Sequence, residues 1–259
     1  MQWVRADDQW RWQGIGGVKA WFTTRHGGFS RVPYDTLNLS FSVGDNPKTV
    51  KENRRWAVPE GLSRLVMAQQ VHQKEVAWVD AAQAGRGALD MTTSLPGLDG
   101  LLTREADLVL GMGFADCVPL FMADVQGRWI GILHAGWRGT VLGVQRQAVA
   151  AVVRAGYAVD DIRVGIGPSI GPCCYEVDRV VERSVKDALG HSRTLISGKD
   201  MDHWQLDLWE TNRLILQSMG IPSQHIAVLG RCTSCHDEFF SYRRDRKVTG
   251  RMGGFICRT

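Results

Sequence analysis

The amino-acid sequence predicts a mixed α+β fold in which strands and helices alternate along the chain. Three observations support this prediction. Apolar runs of strand length alternate with segments of helical length, and two neighbouring apolar runs are joined by a turn short enough for a hairpin. Of the 259 residues, 44% are hydrophobic and 22% are charged, as in a globular protein. Because hairpins do not occur in a purely parallel sheet, we favour the mixed class.

The clearest strands lie in the middle of the chain. Residues 107–123 and 129–135 are apolar, and residues 124–127 are predicted to form the turn between them. With that turn, Cys117 stands directly opposite His134, and their Cβ atoms are about 5 Å apart. A slip of one residue in register would remove this agreement. Two further strands are predicted over residues 162–166 and 226–229.

Three helices are predicted over residues 140–155, 178–189 and 206–219. Thr140 is the expected N-cap of the first helix, and glycines at 156, 190 and 220 are expected to end the three helices. Residues 81–100 contain several turn-forming residues and are predicted to be a surface loop. Turn residues are otherwise evenly spread, so residues 1–259 are predicted to form a single domain without a flexible linker.

Composition argues against several classes of protein. The net charge is only +4, and the one dense basic run is at residues 243–247, so a nucleic-acid partner is not expected. No apolar run reaches the ~18 residues that a membrane span requires, and the first residues lack the pattern of a secretion signal. Six cysteines are too few for a disulfide scaffold. We therefore expect a cytoplasmic protein without a membrane partner, whose cysteines are thiols or metal ligands.

Three residues are candidate metal ligands: His72, Cys117 and His134 each follow or end an apolar strand beside small residues. Imidazole and thiolate are ligands that zinc prefers, and three protein ligands leave the fourth position open for catalysis. Two other interpretations remain. The cysteine is a small core residue and the histidines are structural, or Cys117 is a nucleophile with His72 or His134 as its base.

The remaining cysteines form weaker patterns. Cys232 and Cys235 have the spacing of half a zinc site or of a redox motif, but no second pair of ligands follows in the sequence, so a structural or incidental role is predicted. Cys173 and Cys174 are adjacent in a glycine-rich loop, where packing is the expected role. The nearby segment GIGP is not a dinucleotide-binding fingerprint, because it lacks the third glycine.

Two arginines are candidates for binding an anionic group. Arg138 precedes a predicted helix, where free backbone N–H groups and the helix dipole favour an anion. Arg25 lies in the segment TTRHGG, and Arg243 with Arg244 is a third possible anion site. A surface guanidinium without a ligand is the alternative for Arg138. Trp137 has the shape to stack on a base, although a core role is the default for tryptophan.

Several segments together resemble the YfiH-like family, also called the laccase-domain or multicopper polyphenol oxidase family. The resemblance runs from about residue 23 to residue 256 and is carried by TTRHGGFS, QQVHQKEV, ADLVLGMGFADCVPLFMAD, HAGWRGT, GIGPSIGPCCYEV and FFSYRRD. It implies a single-domain four-layer α/β/β/α sandwich with two mixed β-sheets. It also implies that the metal ligands are His72, Cys117 and His134.

The resemblance further implies an enzyme that acts on purine nucleosides. The implied activities are phosphorolysis of adenosine, inosine, guanosine and 5′-methylthioadenosine, and deamination of adenosine. We expect zinc as the cofactor, purine nucleoside and phosphate as partners, and a monomer or weak dimer. Deamination requires a proton carrier, for which Asp116 is the candidate and Glu176 the alternative. Arg25, Arg138 and Glu176 are the expected substrate contacts.

Three alternative functions also follow from the resemblance or from the residues. Some family members are linked to copper-dependent, laccase-like phenol oxidation, but a true multicopper oxidase needs many ligands in His-x-His pairs. This chain has seven histidines and no such pair. Bacterial members are linked to the editing of peptidoglycan precursors, which also allows a binding protein without turnover. A hydrolase that uses the cysteine and a histidine is the alternative without metal.

Overall fold

The computed structural model describes residues 1–198 and 200–259 and contains sixteen named strands and five α-helices within them. In chain order the elements are β1 (Gln2–Ala6), β2 (Gln9–Gln13), β3 (Val18–Thr23), α1 (Pro47–Ala57), β4 (Leu65–Gln69), β5 (Val76–Val79), β6 (Leu95–Pro96), β7 (Gly100–Thr103), β8 (Val109–Phe114), β9 (Val118–Asp124), β10 (Ile130–Ala135), α2 (Trp137–Leu142), α3 (Val144–Arg154), β11 (Ile162–Ile166), β12 (Glu176–Asp178), α4 (Arg179–Leu189), β13 (Leu195–Ser197), β14 (His203–Leu206), α5 (Leu208–Ser218), β15 (Ile226–Val228) and β16 (Met252–Arg258).

Two large sheets organise these elements, and both are mixed. The first has seven strands in the order β1-β2-β3-β16-β8-β4-β6, and its last three strands, β8, β4 and β6, are parallel to one another. The second has six strands in the order β15-β11-β9-β10-β7-β5, with parallel pairs at both edges. A small antiparallel sheet of order β12-β14-β13, which we did not predict, covers part of the second half of the chain.

Buried side chains separate four layers of structure. Ala57 of α1 packs with Phe255 of β16 on one face of the seven-stranded sheet. Leu110 of β8 and Phe121 of β9 belong to the core between the two sheets. A third cluster lies between the six-stranded sheet and helices α3, α4 and α5. These clusters confirm the α+β class and the α/β/β/α order of layers with two mixed sheets.

The apolar run over residues 107–123 is two strands rather than one, which corrects our prediction. β8 belongs to the seven-stranded sheet and β9 to the six-stranded sheet, so the chain passes between sheets at residues 115–117. Asp116 has a φ of 81°, a left-handed conformation that redirects the backbone at this point. Hydrophobicity did not reveal the break, because strands on both sides are buried.

The hairpin between β9 and β10 forms, but its predicted register was wrong. His134 pairs with Pro119 rather than with Cys117. The reason lies in the turn: the N–H of Asp124 donates to the carbonyl of Trp129, so the loop comprises residues 125–128 instead of 124–127. The Asp124 side chain stabilises this shifted loop by accepting hydrogen bonds from Arg128 and from the backbone of residue 126.

The helix predicted over residues 140–155 is divided into α2 and α3. Gly143 separates them with a φ of 87°, which a side chain rarely tolerates. The N-cap of α2 is Gly136 rather than Thr140. Thr140 lies inside the helix, buried, and its hydroxyl donates to the carbonyl of Ala135. The start of the helix therefore lies directly after β10, next to His134.

The other predicted elements are confirmed to within a few residues. β11 and α4 match, and Asp178 caps α4 by accepting from the N–H groups of Val180 and Val181. The helix α5 and the strand β15 are also found. The loop at residues 81–100 contains the short strand β6, and β16 is a central strand that the polar C-terminal sequence did not indicate. None of the helices described is long and apolar enough to span a bilayer.

Candidate metal centre

The structure brings His72, Cys117 and His134 together, with their donor atoms all within 4.8 Å of one another. His72 follows β4 of the seven-stranded sheet, Cys117 lies at the passage from β8 to β9, and His134 is on β10 of the six-stranded sheet. The two imidazole rings are 4.8 Å apart and nearly perpendicular. The three side chains therefore meet where the two sheets are joined, although the predicted register between two of them was wrong.

Backbone geometry next to the cluster allows this close approach. A Cβ atom on Gly136 would lie 2.8 Å from the sulfur of Cys117 and 3.5 Å from a ring carbon of His72. Only glycine leaves room for both side chains at this position. His72 itself has a φ of 59°, so the chain turns sharply immediately after β4. The side-chain amide of Gln70 supports this turn by pairing with both backbone groups of Gly113 at 2.9 Å.

The completely buried carboxylate of Asp99 contacts the side chain of one candidate ligand, His134, and the backbone of another, His72. Its oxygens accept hydrogen bonds from the backbone N–H groups of Val71, His72 and Gln73. One oxygen also lies 2.8 Å from Nδ1 of His134. This contact assigns the proton of His134 to Nδ1 and leaves Nε2 for Cys117 or for a metal ion.

The sequence analysis did not identify Asp99. It lies at the end of the segment predicted to be a surface loop, 27 residues from His72 and 35 residues from His134. No short motif connects it with either histidine. A usable signal would have been an aspartate placed just before a buried strand, because an unpaired carboxylate at such a position is costly.

Charges within the cluster support one another. Burial opposes ionisation of the Cys117 thiol, but the charge and hydrogen bonds of His134, and then those of His72, outweigh it and lower its pKa to about 6. Burial also opposes the charge of His134, yet Cys117 and Asp99 raise its pKa to about 9. The pKa of Asp99 is lowered: its burial is outweighed by the hydrogen bonds from His134 and the backbone. The cysteine is therefore held as a thiolate, the form that binds metals.

These residues fit a single metal ion of the zinc type. Two imidazoles and one thiolate are suitable donors, and a carboxylate behind one histidine is a common arrangement around zinc. His72 is solvent-exposed while His134 is 3% exposed, so a fourth position would open toward the side of His72. The donor chemistry and the space left by Gly136 both agree with a site that keeps one position for a substrate.

Asp116 lies beside Cys117 but its carboxylate points to the C-terminal segment. One oxygen accepts from the hydroxyl of Thr233 at 2.6 Å, and the other accepts from the backbone N–H of Arg243 at 2.7 Å. These contacts indicate that Asp116 positions residues around the cluster. Its role as the proton carrier stays a prediction.

Both candidate arginines are placed by aromatic rings. Arg138 is exposed in the first turn of α2, four residues after His134, and its guanidinium lies 4.7 Å from the ring of Trp137. The Arg25 guanidinium lies 4.7 Å from the ring of Phe240 and donates to the carbonyl and carboxylate of Asp35. Some of the N–H donors of the Arg25 guanidinium are thus already hydrogen-bonded, whereas the guanidinium of Arg138 faces solvent.

Tyr175 links several of these groups and was missed by the sequence analysis. Burial raises the pKa of its phenol, and the nearby negative charges of Cys117 and Asp116 add to this effect, while the positive charges of Arg243 and Arg138 oppose it. The guanidinium of Arg243 lies 5.2 Å from the Tyr175 ring and donates to the backbone carbonyl of Glu176. The side chain of Tyr175 therefore remains a hydrogen-bond donor at neutral pH within reach of the charges of the cluster.

The half-buried guanidinium of Arg251 lies near the same charges. Burial lowers the pKa of Arg251, and the negative charges of Cys117, Tyr242 and Asp116 oppose this effect. Its guanidinium donates to the carbonyls of Thr249 and Gly250. Arg251 thus adds positive charge close to the thiolate, although no sequence motif identified it.

The chain is similar to several known proteins over nearly its whole length. Residues 19–259 match the family model described as multi-copper polyphenol oxidoreductase laccase. The chain is 44% identical over 252 residues to purine nucleoside phosphorylase YlmD of Geobacillus stearothermophilus, covering 94% of this chain and 91% of the relative. It is 34% identical to adenosine deaminase RL5 from an unknown prokaryotic organism, with 90% of each chain covered. The crystal structure of YlmD from G. stearothermophilus superposes with a TM-score of 0.95 at 41% identity, over 98% of this chain and 97% of that one.

Proposed function

This chain belongs to the family described as multi-copper polyphenol oxidoreductase laccase, and from that premise we propose that it is a metal-dependent purine nucleoside phosphorylase that also deaminates adenosine. The proposed substrates are adenosine, inosine, guanosine and 5′-methylthioadenosine. The relatives named purine nucleoside phosphorylase and adenosine deaminase support this proposal. The observation that carries it is the meeting of His72, Cys117 and His134 next to an exposed arginine.

We propose zinc as the ion and these three side chains as its ligands. When bound there, zinc would supply Lewis acidity at its open fourth position. Asp99 keeps Nε2 of His134 available through the hydrogen bond to Nδ1. Asp99 also holds the backbone around His72, so the ligand geometry depends on this one buried carboxylate. Because the ligands come from both sheets, residues 1–259 would act as one catalytic domain.

Phosphorolysis requires an anion site beside the nucleoside. Phosphate oxygen forms a bond to the anomeric carbon of ribose, the bond from that carbon to the purine breaks, and the purine leaves with the electron pair. We assign the phosphate to Arg138, whose planar fork is exposed and matches two phosphate oxygens. Arg25 is the second candidate, although its guanidinium already donates to Asp35.

The leaving purine gains a negative charge and needs a hydrogen-bond donor. Tyr175 is suited to this role because its raised pKa keeps the phenol protonated. For deamination, a proton must move from attacking water to the departing ammonia. We retain Asp116 as the proton carrier, with Glu176 as the alternative carrier and a substrate contact. Asp116 would perform this step only by giving up one of its two hydrogen bonds.

Other chemistries fit the site less well. A four-electron oxidase needs a mononuclear copper site and a separate cluster of coppers with many histidine ligands. Among the residues described, the only groups of three or more potential ligands are this triad and a set of four cysteines. A metal-free hydrolase that uses Cys117 and His134 is the other alternative, supported by their thiolate–imidazolium pairing. Loss of activity to a chelator, restored by zinc, would exclude this metal-free mechanism. All six cysteines are free thiols, as is usual in a reducing compartment, and this supports a location in the cytoplasm.

The test is chromatography of adenosine incubated with the purified protein, with and without phosphate. With phosphate we expect adenine and ribose 1-phosphate, and without phosphate only slow conversion to inosine. Release of adenine at an unchanged rate without phosphate would show hydrolysis and contradict the proposal. Oxidation of a phenol with oxygen uptake, in place of both nucleoside reactions, would instead support the copper alternative.

A further inference from the structure

Four cysteine thiols from two distant parts of the sequence meet at a second point in the structure. Cys173 and Cys174 lie in the loop before β12, and Cys232 and Cys235 lie in the loop after β15. Their four sulfur atoms are all within 4.8 Å of one another. The sulfur of Cys235 is 3.3 Å from those of both Cys173 and Cys174. Two patterns that we interpreted separately in the sequence thus form one cluster.

We propose that these four cysteines bind one structural zinc ion, separate from the candidate catalytic centre. Zinc–thiolate bonds of about 2.3 Å in a tetrahedron place the sulfurs about 3.8 Å apart. The spacing in the structure, from 3.3 Å to less than 4.8 Å, brackets this value. A cluster of several iron ions would hold its thiolates farther apart than a single ion does. Binding would release the thiol protons, because the thiolate is the ligand.

The loops around the sulfurs are arranged as in a metal site. The backbone N–H of Gly171 donates to the buried sulfur of Cys232 at 3.2 Å, and such N–H donors stabilise thiolate charge. A Cβ atom on Gly171 would lie 2.6 Å from the ring of Trp209 and 3.2 Å from the Cβ of Cys232. Glycine therefore permits the approach of the two loops.

Backbone pairing fixes the register of the loops. Ser169 and Cys232 form a parallel bridge, in which the N–H of Ser169 donates to Arg231 and the N–H of Thr233 donates to Ser169. On the other loop, the N–H of Cys174 donates to the carbonyl of Gly171 and forms a tight turn. The cysteines are thus presented by ordered backbone on both sides.

Ordinary packing does not explain the cluster. Cys173 and Cys235 are exposed and Cys174 is half-buried, so three of the four thiols lie outside the hydrophobic core. Four cysteine ligands fill a tetrahedral zinc ion and leave no position for a substrate, which indicates a structural role. The ion would join the loop of Tyr175 to the loop of Thr233, the residue that holds Asp116 beside the catalytic centre.

The test is metal analysis of the full-length protein, produced with zinc and kept reduced. We expect about two zinc ions per chain in the unaltered protein and about one in Cys117→Ala, whose four-cysteine site is intact. Cys235→Ser should also retain about one zinc ion, and this ion should be the one at the catalytic centre. Cys257→Ala is the matched control, since Cys257 is a free cysteine outside both clusters, and it should retain both ions.

A spectroscopic measurement identifies the ligands. Cobalt bound to Cys117→Ala should show the strong sulfur-to-metal absorption of a four-thiolate site. The double variant that combines Cys117→Ala with Cys173→Ser should lose most of this absorption. Folded Cys117→Ala without bound zinc would overturn the proposal. A disulfide would also overturn it: zinc-loaded protein is freshly reduced and then handled without reducing agent, and its intact mass is measured. The proposal fails if that mass shows a disulfide between these cysteines in place of the metal.

Discussion

The buried carboxylate of Asp99 lies 2.8 Å from Nδ1 of His134 and also accepts the backbone N–H of His72 at 3.1 Å. One residue therefore orients two of the three proposed ligands. It does so from the position immediately before β7, a strand that contributes no ligand itself. The arrangement makes the metal affinity dependent on a residue that does not contact the metal.

Asp99→Asn should weaken metal binding by roughly ten- to a hundred-fold, the usual effect of losing a carboxylate behind a ligating histidine. The amide nitrogen would replace an oxygen and face an N–H donor of Val71, Gln73 or His134. Competition with a chromophoric chelator measures the affinity. Asp90→Asn is the control, because the Asp90 carboxylate accepts hydrogen bonds from residue 92 near the surface, away from the three ligands. Equal affinities of both variants would remove Asp99 from this role.

Gly136→Ala should lose metal while the protein remains folded. The new Cβ would lie 2.8 Å from the sulfur of Cys117, so the thiolate would have to move away from the two histidines. Gly16→Ala is the matched control, since no atom lies within 4 Å of a Cβ at that position. Metal content and circular dichroism of the two variants give the result. Full metal content in Gly136→Ala would show that the sulfur of Cys117 can bind the metal beside a Cβ atom at position 136, and would contradict this prediction.

The metal-free protein should titrate Cys117 with a midpoint near pH 6, because its pKa is lowered to about 6. A depressed pKa stabilises the fold above the ordinary thiol pKa, and this stabilisation is lost as the pH falls through about 6. For His134 the raised pKa has the opposite sign: its contribution is present below the ordinary histidine pKa and is lost as the pH rises through about 9. The thiolate–imidazolium pair should therefore exist between these two values.

Thiolate absorbance of the metal-free protein, after subtraction of the Cys117→Ala spectrum, measures this midpoint. In His134→Ala the midpoint should move toward the ordinary thiol value, because the positive charge is removed. A midpoint above pH 8 in the unaltered protein would contradict the charge pairing described for the cluster.

Arg138→Lys should reduce phosphorolysis by roughly ten- to a hundred-fold, since an ammonium cannot form the paired contact of a guanidinium with phosphate. The reduced rate of phosphorolysis should appear as an increase in the KM for phosphate. Metal content should stay constant, and deamination should be affected less. Arg154→Lys, an exposed arginine at the end of α3, is the control. An equal loss of both reactions with an unchanged phosphate KM would assign Arg138 to the nucleoside or to the loop after His134.

How much the sequence reveals differs among the residues of the site. His72, Cys117 and His134 were predictable because each is a soft ligand next to an apolar strand, and the family resemblance selects the same three. Their geometry was not: the pairing of Cys117 with His134 depended on the position of a turn, which lies one residue later in the structure because Asp124 pairs with Trp129. Hydrophobic patterns carry no information about such a loop.

Contacts between distant residues account for what was missed. Asp99 lies in a segment with the composition of a surface loop, yet four hydrogen bonds bring it into the core of the site. Cys173 and Cys235 are 62 positions apart, and the parallel pairing of β11 with β15, together with the bridge between Ser169 and Cys232, brings their loops together. In both cases the residue type alone was uninformative, because its meaning depends on a partner chosen by the fold.

The most direct test of the account compares Cys117→Ala with Cys257→Ala, each assayed for zinc and for adenine released from adenosine in the presence of phosphate. Cys117 lies in the proposed catalytic centre and Cys257 lies in β16 outside both clusters. The account predicts that Cys117→Ala loses the catalytic zinc and nearly all phosphate-dependent adenine release, while Cys257→Ala retains both. The central claim would be contradicted if Cys117→Ala lost this zinc but still released adenine in the presence of phosphate at the rate of the unaltered protein.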